Sequence, residues 1–215
     1  MRTKLIWVTP NAEQLISDMA RVSNPDNQGQ PPGKLLGYCV RNKHWSIFEM
    51  VSACFEIETT RDIARQILRH RSFVFQEFSQ RYASVDALPA APYRDARMQD
   101  EKNRQNSIVC DDKWLKGRWR DMQHEVLCAA ERIYYQALDL GIAKEVARAV
   151  LPEGLTTSRM YMSGTLRSWM HFCDLRSGNG TQLEHQEIAK AISDTLAEHF
   201  PLSWAELIKQ QSNRE

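Results

Sequence analysis

The chain has 215 residues, with 28 Lys and Arg against 27 Asp and Glu and 42% apolar residues, which suits one well-buried soluble domain. The near-neutral balance excludes the strongly basic field of a protein that tracks a nucleic-acid backbone. No apolar run approaches the ~20 residues a membrane-spanning helix needs, and Met1 to Lys4 has no secretory apolar segment behind it, so the expectation is a cytoplasmic protein with no membrane or nucleic-acid partner.

Lys4–Thr9 is apolar and β-rich and reads as a first strand, followed by a helix over Asn11–Val22 with Leu15, Met19 and Val22 at helical spacing. Ser23–Gly33 is dense in turn formers and is expected to be a loop, with a short helix at Leu35–Val40. In Met50–Thr59, Val51, Ala53, Phe55 and Ile57 alternate with Ser52, Cys54, Glu56 and Glu58, the pattern of a half-buried strand. Arg61–His70 reads as a helix with Ile63, Ala64, Ile67 and Leu68 on one side and Arg61, Arg65, Gln66, Arg69 and His70 on the other. Asn103–Asp112 is expected to be a surface loop or irregular helix without chemistry. Asp111–Leu140 is a long helical stretch stopped by Gly141, with Leu115, Met122, Val126, Leu127, Ala130, Ile133, Tyr134 and Leu138 as apolar positions. A second helix runs to Leu151 before Pro152. A strand at Thr156–Met162 and helices at Leu166–Leu175, Gln182–Phe200 and Pro201–Gln211 complete the chain.

The chemistry concentrates between Arg69 and Tyr82, where cations stand among aromatic residues. Arginine presents a rigid fork of donors matched to phosphate oxygens, so a nucleotide or a pyrophosphate would suit this segment; a solvated helix face is the plainer reading. If Gln76–Tyr82 is extended, Glu77, Ser79 and Arg81 point to one side in a row of acceptor, hydroxyl and cation. Ser79 lacks an adjacent histidine base and is not read as a nucleophile. Cys39, Cys54, Cys110, Cys128 and Cys173 have no paired spacing and no nucleophile setting, which argues against zinc and disulfides. His124, His185 and His199 form no metal-binding pattern and are read as structural or exposed, so no metal is expected. Arg167, His171 and Asp174 share one face of a helix whose opposite face is Leu166, Trp169, Met170 and Cys173, an arrangement that also fits an ordinary amphipathic surface helix.

Arg69-His70-Arg71, seven residues, then Ser79, continued by Gln80-Arg81-Tyr82, resembles the signature of flavin-dependent thymidylate synthases. Ala20-Arg21-Val22-Ser23, His44–Glu49, Glu145–Pro152, Leu166–Arg176 and Gln182–Glu184 resemble further blocks of that family in the same order, so the resemblance spans most of the chain. It implies an α+β fold, a single domain with an antiparallel sheet and several long helices, assembled as a homotetramer with active sites shared between subunits. It implies a methyltransferase that makes dTMP from dUMP by reductive methylation. 5,10-Methylenetetrahydrofolate would give the carbon, NADPH or NADH the electrons, and FAD would pass them on.

Carried over by position, FAD would be held by Ser23, Ser46, Arg69, His70, Arg71, Glu77, Thr165, Arg167 and His171. dUMP would be held by Gln66, Arg69, Glu77, Phe78, Ser79, Gln80, Arg81, Arg148 and Arg176. Arg176 is the expected catalytic residue, since a fixed cation beside uracil favours ionised N3 and stabilises charge developing on the ring. The sequence departs from the family pattern at Met50, where histidine is common, at Thr165 and His171, where asparagine is frequent, and at 178–180, which lacks a histidine. Two other readings of the residues stay open here. One is a nucleic-acid-binding module with Phe73, Phe75, Phe78 and Tyr82 as stacking groups. The other is a catalytically silent oligomeric domain with Arg69, Arg81, Arg148 and Arg176 in interface ion pairs.

Overall fold

A computed structural model describes residues 1–178 and 180–212; Asn179, within the segment that lacks a histidine, lies outside the described residues. Four strands form an antiparallel sheet in the order β1 (Arg2–Val8), β2 (Ser52–Thr60), β6 (Thr157–Thr165), β3 (Val74–Glu77). The alternation read in the sequence sets the faces: Val51, Ala53, Phe55 and Ile57 are at most 1% exposed, while Glu56 and Glu58 turn outward. The β2–β6 register places Phe55 opposite Met162 and Ile57 opposite Met160, so large apolar side chains line the inner face. On the outer face Arg159 reaches Glu58 at 2.7 Å and Tyr161 donates to Glu56 at 2.8 Å, cross-strand pairs that hold a polar surface in register.

Helices cover the inner face. α6 (Leu166–Arg176), α7 (Leu183–His199), α8 (Pro201–Ser212) and α2 (Leu35–Arg41) contribute Trp169, Phe172, Ile188, Ile192, Leu196, Trp204, Leu36 and Val40 to a core with Phe55 and Met162. Trp169 also donates its indole N–H to the Ala53 carbonyl at 3.1 Å, which satisfies its one polar atom. α6 follows the amphipathic reading: Leu166, Trp169, Met170 and Cys173 are buried, and Arg167, His171 and Asp174 lie on the accessible side. β6 runs to Thr165, three residues beyond the expected end, because Ser163, Gly164 and Thr165 pair with Cys54, Ala53 and Ser52.

Four expectations are corrected. α1 (Ala12–Ala20) buries Ala12 and Ile16, leaving Leu15, Met19 and Val22 exposed; their helical spacing marks a stripe, and the core took the other side. α3 (Arg61–Ile67) buries Ile63, Ala64 and Ile67 as expected, but Arg61 is only 9% exposed instead of lying on the solvent side, where its guanidinium faces Glu77 at 3.9 Å. The segment read as a loop around Asn103–Asp112 contains half of a hairpin, β4 (Arg97–Gln99) with β5 (Ser107–Val109), strands too short to carry a period. The row over Gln76–Tyr82 is not extended throughout: β3 ends at Glu77, and the Ser79 carbonyl accepts from the amides of Tyr82 and Ala83, which makes a turn. α4 (Lys113–Asp139) is capped by Asp112, whose carboxylate accepts from the amides of Trp114 and Leu115, and it stops at Gly141 with φ 80°. Between α4 and β6 lie α5 (Lys144–Ala147) and a 3-10 turn, Arg148–Val150.

Candidate active site around the Arg69–Arg81 segment

α3 delivers the signature segment. Beyond Ile67 the chain leaves the helix in a turn, with the His70 amide donating to the Ile67 carbonyl at 3.0 Å. Phe73 then locks the turn to the core: its ring lies 4.6 Å from Trp169 and 6.0 Å from Phe172, directly over Gly164. A Cβ on residue 164 would stand 2.4 Å from that ring, so only glycine allows the segment to sit so close to β6. The result is that His70 is half-buried while Arg69 and Arg71 are exposed, neither with an ion-pair partner among the described residues.

His70 meets the C-terminal end of α6. The Arg176 Nε–H donates to His70 Nε2 at 2.9 Å, so Nε2 must carry a lone pair, and the neutral ring keeps its proton on Nδ1. Burial, reinforced by the Arg176 charge, pushes the His70 pKa down to about 4. The hydrogen bond uses one N–H of the guanidinium and leaves the two terminal nitrogens to bind elsewhere. Gln66 donates to Gln182 at 2.8 Å, which ties α3 to the start of α7 beside this pair.

The next residues of the segment line up along β3 and the turn after it. Glu77 accepts from Ser158 Oγ at 2.7 Å and faces Arg61, so its carboxylate is held from two sides. The Phe78 amide donates to the Arg159 carbonyl at 2.8 Å. Gln80 is 3% exposed, and its Nε2 has no partner among the described residues, a donor inside the protein with nothing to bind. Arg81 reaches Glu145 at 3.3 Å, both side chains more than half exposed. Arg148 lies close enough for its charge to bear on Arg61.

A second group gathers at the N-terminal end of α6. Arg167 forms an ion pair with Glu49, in a 3-10 turn (Trp45–Glu49) that also carries Ser46, and the His171 ring is 4.8 Å from Trp45. Thr165 caps α6, its hydroxyl accepting from the Ser168 amide at 3.3 Å. Arg167 and Arg176 are nine residues apart on one helix, a rise of about 13.5 Å, so α6 spans the two groups. Ser23 is exposed just beyond α1.

Two residues of this region escaped sequence reasoning as functional candidates. Arg61 was assigned to the solvent side, and His185 was read as ordinary; yet His185 is fully buried, 6.2 Å from His70 and 5.7 Å from Phe172 between ring centroids. Its position in step with Ile188, Ala189 and Ile192 on the apolar face of α7 was the available signal. A cavity of about 510 Å³ lined by Ala91–Asp95, Lys116, Gly117 and Arg120 contains none of the expected site residues.

The model of the family described as thymidylate synthase complementing protein matches residues 4–202. A probable flavin-dependent thymidylate synthase of Paramecium bursaria Chlorella virus 1 is 48% identical over 214 residues, 94% of this chain and 96% of its own. A flavin-dependent thymidylate synthase of Synechocystis is 48% identical over 189 residues, 88% of this chain and 86% of its own. Among solved structures, a UMP/dUMP methylase PolB from Streptomyces cacaoi, bound with 5-Br UMP, superposes with a TM-score of 0.85 at 25% identity, covering 97% of this chain and 94% of that one.

Proposed function

This chain belongs to the flavin-dependent thymidylate synthase family, and from that premise we propose that it converts dUMP to dTMP, taking the carbon from 5,10-methylenetetrahydrofolate and the electrons from NADPH or NADH through FAD. The observation that carries the reading is the hydrogen bond between Arg176 and His70, which joins the signature segment to a helix end 106 residues away.

The donor set fits a dinucleotide. Arg69 and Arg71 are exposed cations without ion-pair partners among the described residues, the pairing chemistry a pyrophosphate needs. His70 keeps a Nδ1–H donor beside them; Arg167 and His171 lie on the accessible side of α6, and Ser46 sits in the turn whose Glu49 pairs with Arg167. Thr165 spends its hydroxyl on capping α6, and Ser23 is exposed just beyond α1. When bound, FAD supplies the redox chemistry of the reaction, and the protein supplies binding, orientation and electrostatics.

dUMP is assigned to α3, to the strand and turn that continue the signature segment, and to Arg148 and Arg176, with Arg69 shared with FAD. Gln66, Arg69, Arg81 and Arg148 offer cations and an amide to its phosphate and base, with Glu77, Phe78, Ser79 and Gln80 supplying the strand and turn between them. The unpartnered Nε2 of buried Gln80 is a donor that a nucleotide oxygen would satisfy. Arg176 turns its free nitrogens to the pyrimidine, where a fixed cation favours ionised N3 and developing ring charge. Burial pushes the thiols of Cys39, Cys54 and Cys173 up, away from the reactive form, so none of these three is suited to supply a thiolate.

The exposed arginines leave the site open on one side within a single chain, which supports a site completed by another copy in a homotetramer. The test is dTMP formation from dUMP with FAD, NADPH and 5,10-methylenetetrahydrofolate. Product is expected with all four present and none when the folate or the reductant is left out. No product from the complete mixture would overturn the reading.

A further inference from the structure

Arg61 opens α3, and its amide donates to the Thr156 carbonyl at 2.9 Å, which pins the start of the helix beside β6. Its side chain is 10% exposed, and Glu77 is its one ion-pair partner among the described residues, with Nη1 3.9 Å from Oε1. Burial pulls the Arg61 pKa below the usual arginine value, and the Glu77 charge pulls it back. A cation held out of water in this way would give place to an apolar side chain if filling space were its only task. Its surroundings point to a different task. Ser158, fully buried in β6, donates its hydroxyl to the same Oε1 of Glu77 at 2.7 Å. The other carboxylate oxygen, Oε2, receives no hydrogen bond among the described residues, on a side chain that is 21% exposed.

We propose that Arg61 is a positioning residue for Glu77: together with Ser158 it draws Oε1 inward and so turns Oε2 to the bound nucleotide as a fixed acceptor for an N–H or O–H group. The proposal rests on the assignment of Glu77 to FAD and dUMP. The backbone here is already set by β6, since Glu77 stands opposite Met160 and the Phe78 amide donates to the Arg159 carbonyl at 2.8 Å. What remains free is the carboxylate, which a hydroxyl at hydrogen-bond distance fixes at one oxygen and a cation behind it holds to that side. At 3.9 Å the guanidinium lies beyond hydrogen-bond length, so it attracts the carboxylate without occupying the lone pairs of Oε2. Arg61 thus acts through Glu77, from behind it, and is not itself a ligand contact.

The test is a double-mutant cycle in ligand affinity on the full chain, with Arg61→Met, Glu77→Gln and the pair. FAD is titrated by visible absorbance, and dUMP by calorimetry at saturating FAD. Arg61→Met is expected to weaken at least one of the two ligands about tenfold, and Arg61→Lys, which keeps the cation, to recover most of that loss. In the Glu77→Gln background Arg61→Met is expected to add nothing, a dependence that a purely structural role would not show. Arg61→Gln is carried through the same cycle, so that a failure of Arg61→Met to fold does not decide the outcome. Parent affinity for both ligands in the Arg61 variants, or an equal loss in the parent and Glu77→Gln backgrounds, overturns the proposal and leaves Arg61 as a tie between α3 and β3. Parent affinity for both ligands in Glu77→Gln alone would instead contradict the assignment of Glu77, and the proposal with it.

Discussion

Arg176 and Arg81 carry the same charge in different settings, and their substitutions separate binding from chemistry. Arg176 spends one N–H on His70 and is half-buried; Arg176→Ala is expected to retain FAD, read by its visible absorbance, and to lower kcat for dTMP by roughly 100-fold, the scale of losing a preorganised charge-stabilising donor. Among the described residues Arg81 forms an ion pair with exposed Glu145 alone, worth at most about 1 kcal/mol. Arg81→Ala is therefore expected to raise KM for dUMP about tenfold, in initial-rate assays, with the thermal midpoint nearly unchanged. Gly164 is the most constrained position beneath the segment. Gly164→Ala forces a Cβ into the Phe73 ring and is expected to cost about 1–3 kcal/mol in urea denaturation. The arginines of the segment were legible in the sequence because their spacing is unusual. The partners Arg61, Ser158 and His185 were not, because each contributes through a contact between distant segments.

At the level of elements, the turn after α3 meets α6 and α7 at a pair of imidazoles, His70 half-buried and His185 fully buried, and that junction makes stability depend on pH. Burial and the Arg176 charge depress His70 to about 4 and His185 to about 3 from the usual 6.5. In the unfolded chain both rings bind protons below about pH 6.5, but in the folded chain they do so only near the depressed values. The stability is therefore fully present above about pH 6.5 and is lost as pH falls toward 4 and then 3, at no more than about 1.4 kcal/mol per pH unit for each ring. Urea midpoints at pH 7 and pH 5 check this: the parent is expected to lose stability at pH 5, and His185→Phe to lose less. Strand β2 and helices α6 and α7 could be read from the sequence because their periods persist over many residues. β4 and β5 are three residues each, and β3 ends where the turn at Ser79 begins. The decisive interactions there are a hairpin pairing and one carbonyl, neither of which leaves a pattern.

For the whole molecule, the homotetramer proposed above would need to cover the exposed apolar surface of α4. Trp114 is 74% exposed and Val126 52%, with Trp119, Met122 and Ile133 also accessible on a helix of 27 residues; Met122, Val126 and Ile133 are among the apolar positions read along this stretch of sequence, and such a reading does not reveal which partner covers a face. Trp119→Glu together with Met122→Glu is expected to move the sedimenting species from four times 24.9 kDa toward a single chain and to abolish turnover. The order of blocks and the overall fold class were legible across most of the chain, because the matched motifs run from the end of α1 to the start of α7. The claim that Arg69 to Arg81 and Arg176 form one site for flavin and dUMP is tested most directly by an anaerobic visible spectrum of the FAD-loaded protein, with NADPH, in the presence and absence of dUMP. The protein is expected to bind FAD and to bleach it with NADPH at a rate that responds to dUMP. A protein that binds no FAD, or one whose flavin is reduced with complete indifference to dUMP, would contradict it.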